Sequence, residues 1–338
     1  MNGLFNNVNR KSISTKIIPN THVIISLING LGDSFLALPV IRYIIQLFGS
    51  DFVTIWAPID AIETVFYGLS CNFIPIHFDR YEDKPFFKEK EDLTRAISIL
   101  KRKSPLIWIG LNAYYPLWSI ENRLRDSLHL KAIWDFGNRP QMFSLPDNNR
   151  GFKKHMREQY FAVIGEPIDN IPSLGKPQVD ERCRRKANAL ISKISDKFLG
   201  YITIHTDTNS EKSWTLSGWL ELAHLFFEYK NLATVALGKP SKSLTQHNSH
   251  IFSVPADWHF QTALLEKSTT FVGIDSCWAH VADHLNIPGV VLFGKDSSIE
   301  VWGPRGCALR AILAPDGILS KIKPRQVFNK LLKICFDN

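Results

Sequence analysis

Thr270-Phe-Val-Gly-Ile-Asp-Ser-Cys-Trp-Ala-His280-Val-Ala-Asp-His-Leu-Asn-Ile-Pro-Gly-Val-Val-Leu-Phe-Gly294 is the stretch that decides the fold. Thr270–Ile274 is apolar and β-branched and reads as a buried strand that stops at Asp275. Ser276–Asn286 carries a helical spacing of apolar residues, and Val290–Phe293 is a second buried strand ending at Gly294. Strand, helix and strand in quick succession argue for a parallel sheet covered by helices. A helix that starts directly after a buried strand points its positive dipole end and first-turn N–H groups past the strand ends. That terminus suits a diphosphate. Asp275 or Ser276 also suits the plainer role of N-cap, and the two roles are compatible.

The same alternation extends in both directions. Thr21–Ile28 is a strand, Asn29-Gly30-Leu31-Gly32-Asp33 a glycine loop, and Phe35 to Ile45 the apolar face of a helix. Phe52–Trp56, Asn72–Ile76 and Pro105–Ile109 read as strands, with helices over Ile59–Tyr67 and Glu89–Lys101. Asp147–Lys176 is rich in Asn, Gly and Pro around a short helical patch, and the boundary is placed there, giving domains 1–175 and 176–338. Beyond a helix at Asp180–Lys193 the pattern restarts. Strands are expected at Tyr201–Ile204, Ala233–Leu237 and Ile251–Val254, with helices at Leu216–Tyr229 and Trp258–Lys267. The amphipathic Pro324–Phe336 would close the chain as a helix, free to pack back on the N-terminal domain. Two doubly wound domains in tandem put ligands at the carboxyl ends of strands, in the cleft between them.

Composition agrees with two globular domains. The chain has 338 residues, 45% hydrophobic and 21% charged, more than one core usually spans. Its apolar runs are strand-length, and the polar segment Met1–Asn20 lacks the apolar stretch of a signal peptide, so a cytoplasmic protein is expected. Five scattered cysteines without a CxxC pair speak against a disulfide framework or a metal site. The formal charge of +8 is spread among acids and forms no long basic run, which disfavours nucleic acid and suits phosphate-bearing substrates or a phospholipid surface. A dinucleotide oxidoreductase is also disfavoured. Phe35 stands where G-x-G-x-x-G needs its third glycine, and no acidic residue closes Phe52–Trp56 to hold a ribose.

Three motifs, in order along the chain, resemble the glycosyltransferase family that contains the lipopolysaccharide heptosyltransferases. That family shows G-x-D-[ST]-G-x-x-H, then A, a short helix, P and an apolar strand ending in [FY]-G. Gly273, Asp275, Ser276, His280, Ala282, Pro288, Phe293 and Gly294 match it. Cys277 stands at the family's glycine, and its side chain narrows the approach of a phosphate to the backbone. The family's strand, small polar loop and Lys-x-Trp before a helix are matched by Tyr201–His205, Thr206–Ser213, Lys212 and Trp214. Its G-D followed by an apolar helix with Leu-Pro and Arg is matched by Gly32, Asp33, Leu38, Pro39 and Arg42. A glutamate that family members carry after the glycine corresponding to Gly238 has no counterpart in Lys239–Asn248, which leaves the nucleotide base open.

The resemblance implies an α/β fold of GT-B type: two facing Rossmann-like doubly wound domains with an interdomain cleft, acceptor on the first and donor on the second. It implies inverting transfer of a sugar, heptose by family default, from a nucleotide-sugar donor, ADP-linked by default. Asp33 would be the catalytic base, with an N-cap role as the plainer reading. Lys212 would hold the donor phosphates and steady the leaving diphosphate. Gly32, His205, Thr206, Trp214, Gly238, Asp275, Ser276, Cys277, Trp278 and His280 would line the donor. His205 has an equally plain reading as a satisfied core histidine. No cofactor beyond the donor is implied, and no metal, since no Asp-x-Asp motif is present. The acceptor could be lipopolysaccharide core, another glycan or glycolipid, a protein or a small molecule, with the enzyme at the inner face of the membrane. Aromatics between Trp108 and Trp118, with Tyr114 and Tyr115, could stack an acceptor sugar, although packing explains them as readily. Cys277 and the missing glutamate favour, as the alternative, a catalytically weakened nucleotide-sugar binder.

Overall fold

The structure is a computed structural model that describes residues 12–16, 20–77, 90–103, 106–112, 117–135, 155–167, 176–206, 213–240, 242–246, 248–294, 299–306 and 308–336. The chain forms two compact units, Met1–Gly175 and Lys176–Asn338.

In the first unit the elements are β1 (His22–Ser26), α1 (Leu31–Phe48), β2 (Val53–Pro58), α2 (Ile59–Glu63), β3 (Asn72–Ile76), α3 (Lys90–Leu100), β4 (Leu106–Gly110), α4 (Leu117–Arg125), β5 (Leu130–Trp134) and α5 (Met156–Val163). The five strands are ordered β3-β2-β1-β4-β5, each described pairing parallel. Every residue of β1, β2 and β4 is buried, as expected of central strands covered on both faces. Trp56 and Trp108 meet edge-on at 6.5 Å within the cluster that includes Ala96, Leu100 and Leu124 of α3 and α4. Tyr43 of α1 and Phe161 of α5 meet at 6.1 Å. Helix α1 is long and apolar enough to cross a membrane by length and composition, but its residues from Ser34 to Ile41 are buried in this unit.

The second unit contains α6 (Glu181–Ser195), β6 (Gly200–His205), α7 (Leu216–Lys230), β7 (Leu232–Leu237), α8 (Lys242–Thr245), β8 (Ile251–Ser253), α9 (Trp258–Glu266), β9 (Thr270–Ile274), α10 (Cys277–His284), β10 (Gly289–Phe293), α11 (Ile299–Trp302), β11 (Leu309–Leu313) and α12 (Pro324–Cys335). Its parallel sheet has the order β11-β10-β9-β6-β7-β8. Asp180 caps α6 by accepting from the Arg182 and Cys183 N–H groups, Thr215 caps α7 through Gly218, and Asp257 caps α9 through Phe260. The closing helix α12 packs within its own unit, on α7 and β10, with Phe226 and Phe328 at 5.0 Å.

Several sequence expectations change. The helix after β2 stops at Glu63 instead of Tyr67, because Thr64 leaves helical geometry and a turn follows. Helix α4 and strands β5 and β11 add to the elements expected from the sequence. In β11 only Leu309 and Ile312 are buried, with Arg310 and Leu313 exposed, so this edge strand lacks the continuous apolar run of its neighbours.

Candidate active site

Each sheet reverses its strand order once, and such switch points are where α/β sheets bind ligands. In the second unit the reversal lies between β6 and β9. His205 ends β6, and Asp275 and Ser276 follow β9 directly. Ser276 sits at the N-cap of α10 in extended conformation, yet its side chain does not cap the helix. Its Oγ lies 3.0 Å from His205 Nδ1, so one hydrogen bond bridges the switch point. Burial pushes the His205 pKa down to about 3, which keeps the imidazole neutral. The positive end of the α10 dipole is thereby set at the carboxyl edge of the sheet beside an uncharged histidine.

Around this bridge the structure gathers most of the residues singled out from the sequence. Trp278, in the first turn of α10, lies 6.3 Å from the His205 ring and 4.7 Å from Trp258. Thr206, Asp275, Ser276, Cys277 and His280 are half-buried. Gly273, two residues before Asp275, has no room for a side chain unless the buried Phe271 ring moves aside. Gly238 directly follows β7 with φ 78°, a conformation that favours glycine.

Gln261 of α9, not anticipated from the sequence, fixes that turn. Its Oε1 accepts from Gly238 N–H at 2.8 Å, and its Nε2 donates to the Gly238 and Pro255 carbonyls at 3.1 and 2.9 Å. A second unanticipated clamp is Asp283 of α10, which accepts from the N–H groups of Gly306 at 2.7 Å and Arg305 at 3.1 Å. It ties the segment after α11 to the helix that begins at the switch point.

Lys212 lies outside the described residues. Trp214 is placed in the core, not at the switch point. It is 4% exposed, donates its indole N–H to the Ile322 carbonyl at 3.1 Å, and packs edge-on to Trp219 at 4.9 Å.

In the first unit the reversal lies between β1 and β4. Helix α1 begins at Leu31 with Gly30 as N-cap, so Gly32 and Asp33 fall inside its first turn. The N-cap reading of Asp33 is therefore corrected: the helix starts two residues before it. Within the first turn its charge still complements the dipole. Tyr160 of α5, fully buried, brings its hydroxyl to 3.5 Å from Asp33 Oδ1. Burial and the Asp33 charge hold the Tyr160 pKa well above its ordinary value, so this hydroxyl stays protonated. Trp108 is core, while Tyr114, Tyr115 and the Trp118 side chain lie outside the described residues.

The buried polar groups beneath this loop form one network. Asn112, just after β4, accepts from the Ile28 N–H at 2.5 Å and donates to Ser26 Oγ at 2.7 Å and Glu121 Oε2 at 2.9 Å. Glu121 Oε1 accepts from Trp108 Nε1 at 2.9 Å. Among the described residues no three His, Cys, Asp or Glu side chains stand close enough together to hold a metal ion.

The family model for glycosyltransferase family 9 (heptosyltransferase) matches residues 130–323, more than half of the chain. No curated protein matches the sequence at a significant level. Among solved structures, a family 9 glycosyl transferase from Veillonella parvula superposes with TM-score 0.76 at 15% identity, covering 95% of this chain and 99% of that one. The E. coli ADP-heptose lps heptosyltransferase II gives 0.66 at 17% identity, covering 93% and 98%. The iron-containing dodecameric glycosyltransferase TibC of enterotoxigenic E. coli gives 0.52 at 16% identity, covering 94% and 77%. These likenesses identify the α/β architecture as that of GT-B proteins with two Rossmann-like domains.

Proposed function

The chain belongs to glycosyltransferase family 9, and within that family we propose that it transfers a heptose from ADP-heptose to an acceptor hydroxyl, with inversion and without a metal ion. Asp33 takes the proton of the acceptor hydroxyl as its oxygen bonds to the anomeric carbon. The bond from that carbon to the diphosphate breaks, and ADP departs with the electron pair. Lys212 and the N-terminus of α10 at Ser276–Trp278 offset the charge that develops on the diphosphate. His205 is a wall of the donor site: with its pKa pushed down to about 3 by burial, its imidazole holds a proton too weakly to serve as the acid or base. Gly238, fixed by Gln261, supplies the backbone beside the nucleoside.

The observation that carries this reading is the Ser276–His205 bridge at the switch point of the second sheet. It aligns the start of α10, without a side-chain cap from Ser276, with the ends of β6 and β9, where an anion gains most from the dipole. The ADP-heptose donor and a lipopolysaccharide acceptor follow the name of the E. coli ADP-heptose lps heptosyltransferase II neighbour. With such an acceptor, we propose that the enzyme works in the cytoplasm at the inner face of the membrane. A second reading, a nucleotide-sugar binder with weakened turnover, is favoured by Cys277, whose half-buried side chain sits at the first residue of α10.

The test is ADP release from ADP-heptose by purified protein, against heptose-acceptor lipopolysaccharide core and against water, with and without excess EDTA. We expect ADP to raise the melting temperature and its release to persist in EDTA. ADP binding without release supports the weakened binder, and release that EDTA abolishes and added metal restores overturns metal independence. No stabilisation by ADP overturns the donor assignment.

A further inference from the structure

We propose that Asn112 and Glu121 are positioning residues for Asp33, acting through the loop that leads into α1; this rests on Asp33 being the base of the proposed reaction. Both side chains are fully buried, on β4's exit and on α4. The chain of contacts starts at Trp108, packed edge-on to Trp56, and its indole N–H holds one Glu121 oxygen. The other Glu121 oxygen accepts from Asn112, whose own oxygen takes the Ile28 N–H at 2.5 Å. Ile28 is the point where the chain has just left β1. On either side, the Leu27 N–H is held by the Trp56 carbonyl at 3.0 Å, and Asn29 Nδ2 donates to the Leu111 carbonyl at 3.3 Å. Three successive residues are thus tied down immediately before Gly30 caps the helix that bears Asp33.

Apolar side chains would hold β1 against β4 at lower cost, since a buried carboxylate and amide must be matched donor for acceptor. What the polar pair adds is direction. It fixes where the Ile28 N–H points, and with it the path of the loop into the first turn of α1. A base must meet its proton within a few tenths of an ångström, and small displacements of such groups are costly in rate. Glu121 itself is fully buried and held by Trp108 and Asn112, so it acts through the loop and not on substrate.

The amide and the acid can be exchanged without losing the pattern. In the double variant Asn112→Asp/Glu121→Gln, the acid at 112 accepts from Ile28, from the Ser26 hydroxyl and from the new amide at 121. The oxygen of that amide still accepts from Trp108. Each single variant breaks the pattern: Glu121→Gln sets donor against donor, and Asn112→Asp sets two carboxylates together. ADP release from ADP-heptose with water as acceptor, ADP affinity and hydrogen exchange over residues 28–33 are the measurements.

We expect each single variant to lower kcat about 10²-fold. ADP affinity and donor KM should stay unchanged, exchange in the loop should rise, and the double variant should recover most of kcat. Singles with wild-type kcat, or a double no faster than the slower single, overturn the proposal. If a single variant does not fold, Trp108→Phe removes one donor while keeping a ring in the core, and an unchanged kcat there overturns the proposal equally. Failure of the parent reading looks different: Asp33→Asn would then keep its turnover, or the wild-type protein would release no ADP.

Discussion

Between β1 and β4, the first unit bridges its switch point with a buried acid and amide that grip backbone, and places an aspartate in the first turn of the helix beyond. Between β6 and β9, the second unit bridges its own with one serine–histidine hydrogen bond, and the histidine is neutral. The two helix starts therefore differ in where their carboxylate sits: Asp33 lies inside the first turn of α1, whereas Asp275 precedes the Ser276 N-cap of α10. One helix start carries a carboxylate that can accept a proton, and the other presents a dipole end that favours an anion. Under the proposed reaction, proton removal would fall to the first unit and leaving-group stabilisation to the second.

The sharpest way to break this division is Asp33→Asn. If Asp33 is the base, turnover should fall by roughly 10²–10⁴-fold while ADP affinity stays unchanged. Since Gly30 and not Asp33 is the N-cap of α1, no cap is lost, and the melting temperature should hold. ADP release and thermal melting of the purified variant decide it, and near-normal turnover would return Asp33 to a dipole-complementing role.

A smaller effect is expected on the other side. Lys212→Ala should weaken ADP binding by roughly ten- to a hundred-fold, the worth of one charge-assisted contact. Calorimetric titration with ADP measures it. Unchanged affinity would leave the α10 terminus as the whole of the anion site and remove Lys212 from the reaction.

How much of this was legible in the sequence follows the same division. Phe271–Gly294 could be read because strand, turn and helix are contiguous, and local spacing reports contiguous elements well. Its placement of Asp275, Ser276 and Trp278 at the strand ends follows from the chain path alone. The partners of those residues could not be read. Ser276 meets His205 across 71 positions, and Asn112 meets Ile28 across 84, so only the strand order brings them together. Trp214 misled because Lys-x-Trp spacing says nothing of direction, and its indole turns inward to the Ile322 carbonyl. For Asp33 the plainer alternative to a base is an N-cap, because Asp is a favoured cap. The helix in fact begins at Leu31, with Gly30 as its N-cap, so Asp33 falls within the first turn.

The smallest effect concerns acid, and it separates the two units. His205 has a folded pKa of about 3, lowered by burial, against 6.5 when exposed. Between those values the unfolded chain holds the proton and the folded chain does not. Stability from this group is therefore full above pH 6.5 and declines as pH falls, by at most about 1.4 kcal/mol per pH unit. His22 in the first unit behaves alike, with its pKa lowered to about 4 by burial and by the Lys103 charge. Because two units need not unfold together, the transition to follow is the one that ADP shifts. His205→Asn keeps a hydrogen-bonding partner for Ser276 but does not titrate. At pH 7.5 the variant should melt below the wild type, and by pH 4.5 the gap should close, since only the wild type has lost the contribution of a neutral histidine. Thermal melts of both proteins across that range measure it. A gap that stays constant with pH would mean that the imidazole becomes protonated in the folded state. The second switch point would then carry positive charge of its own, and the contrast between the two units would rest on a cation as well as a dipole.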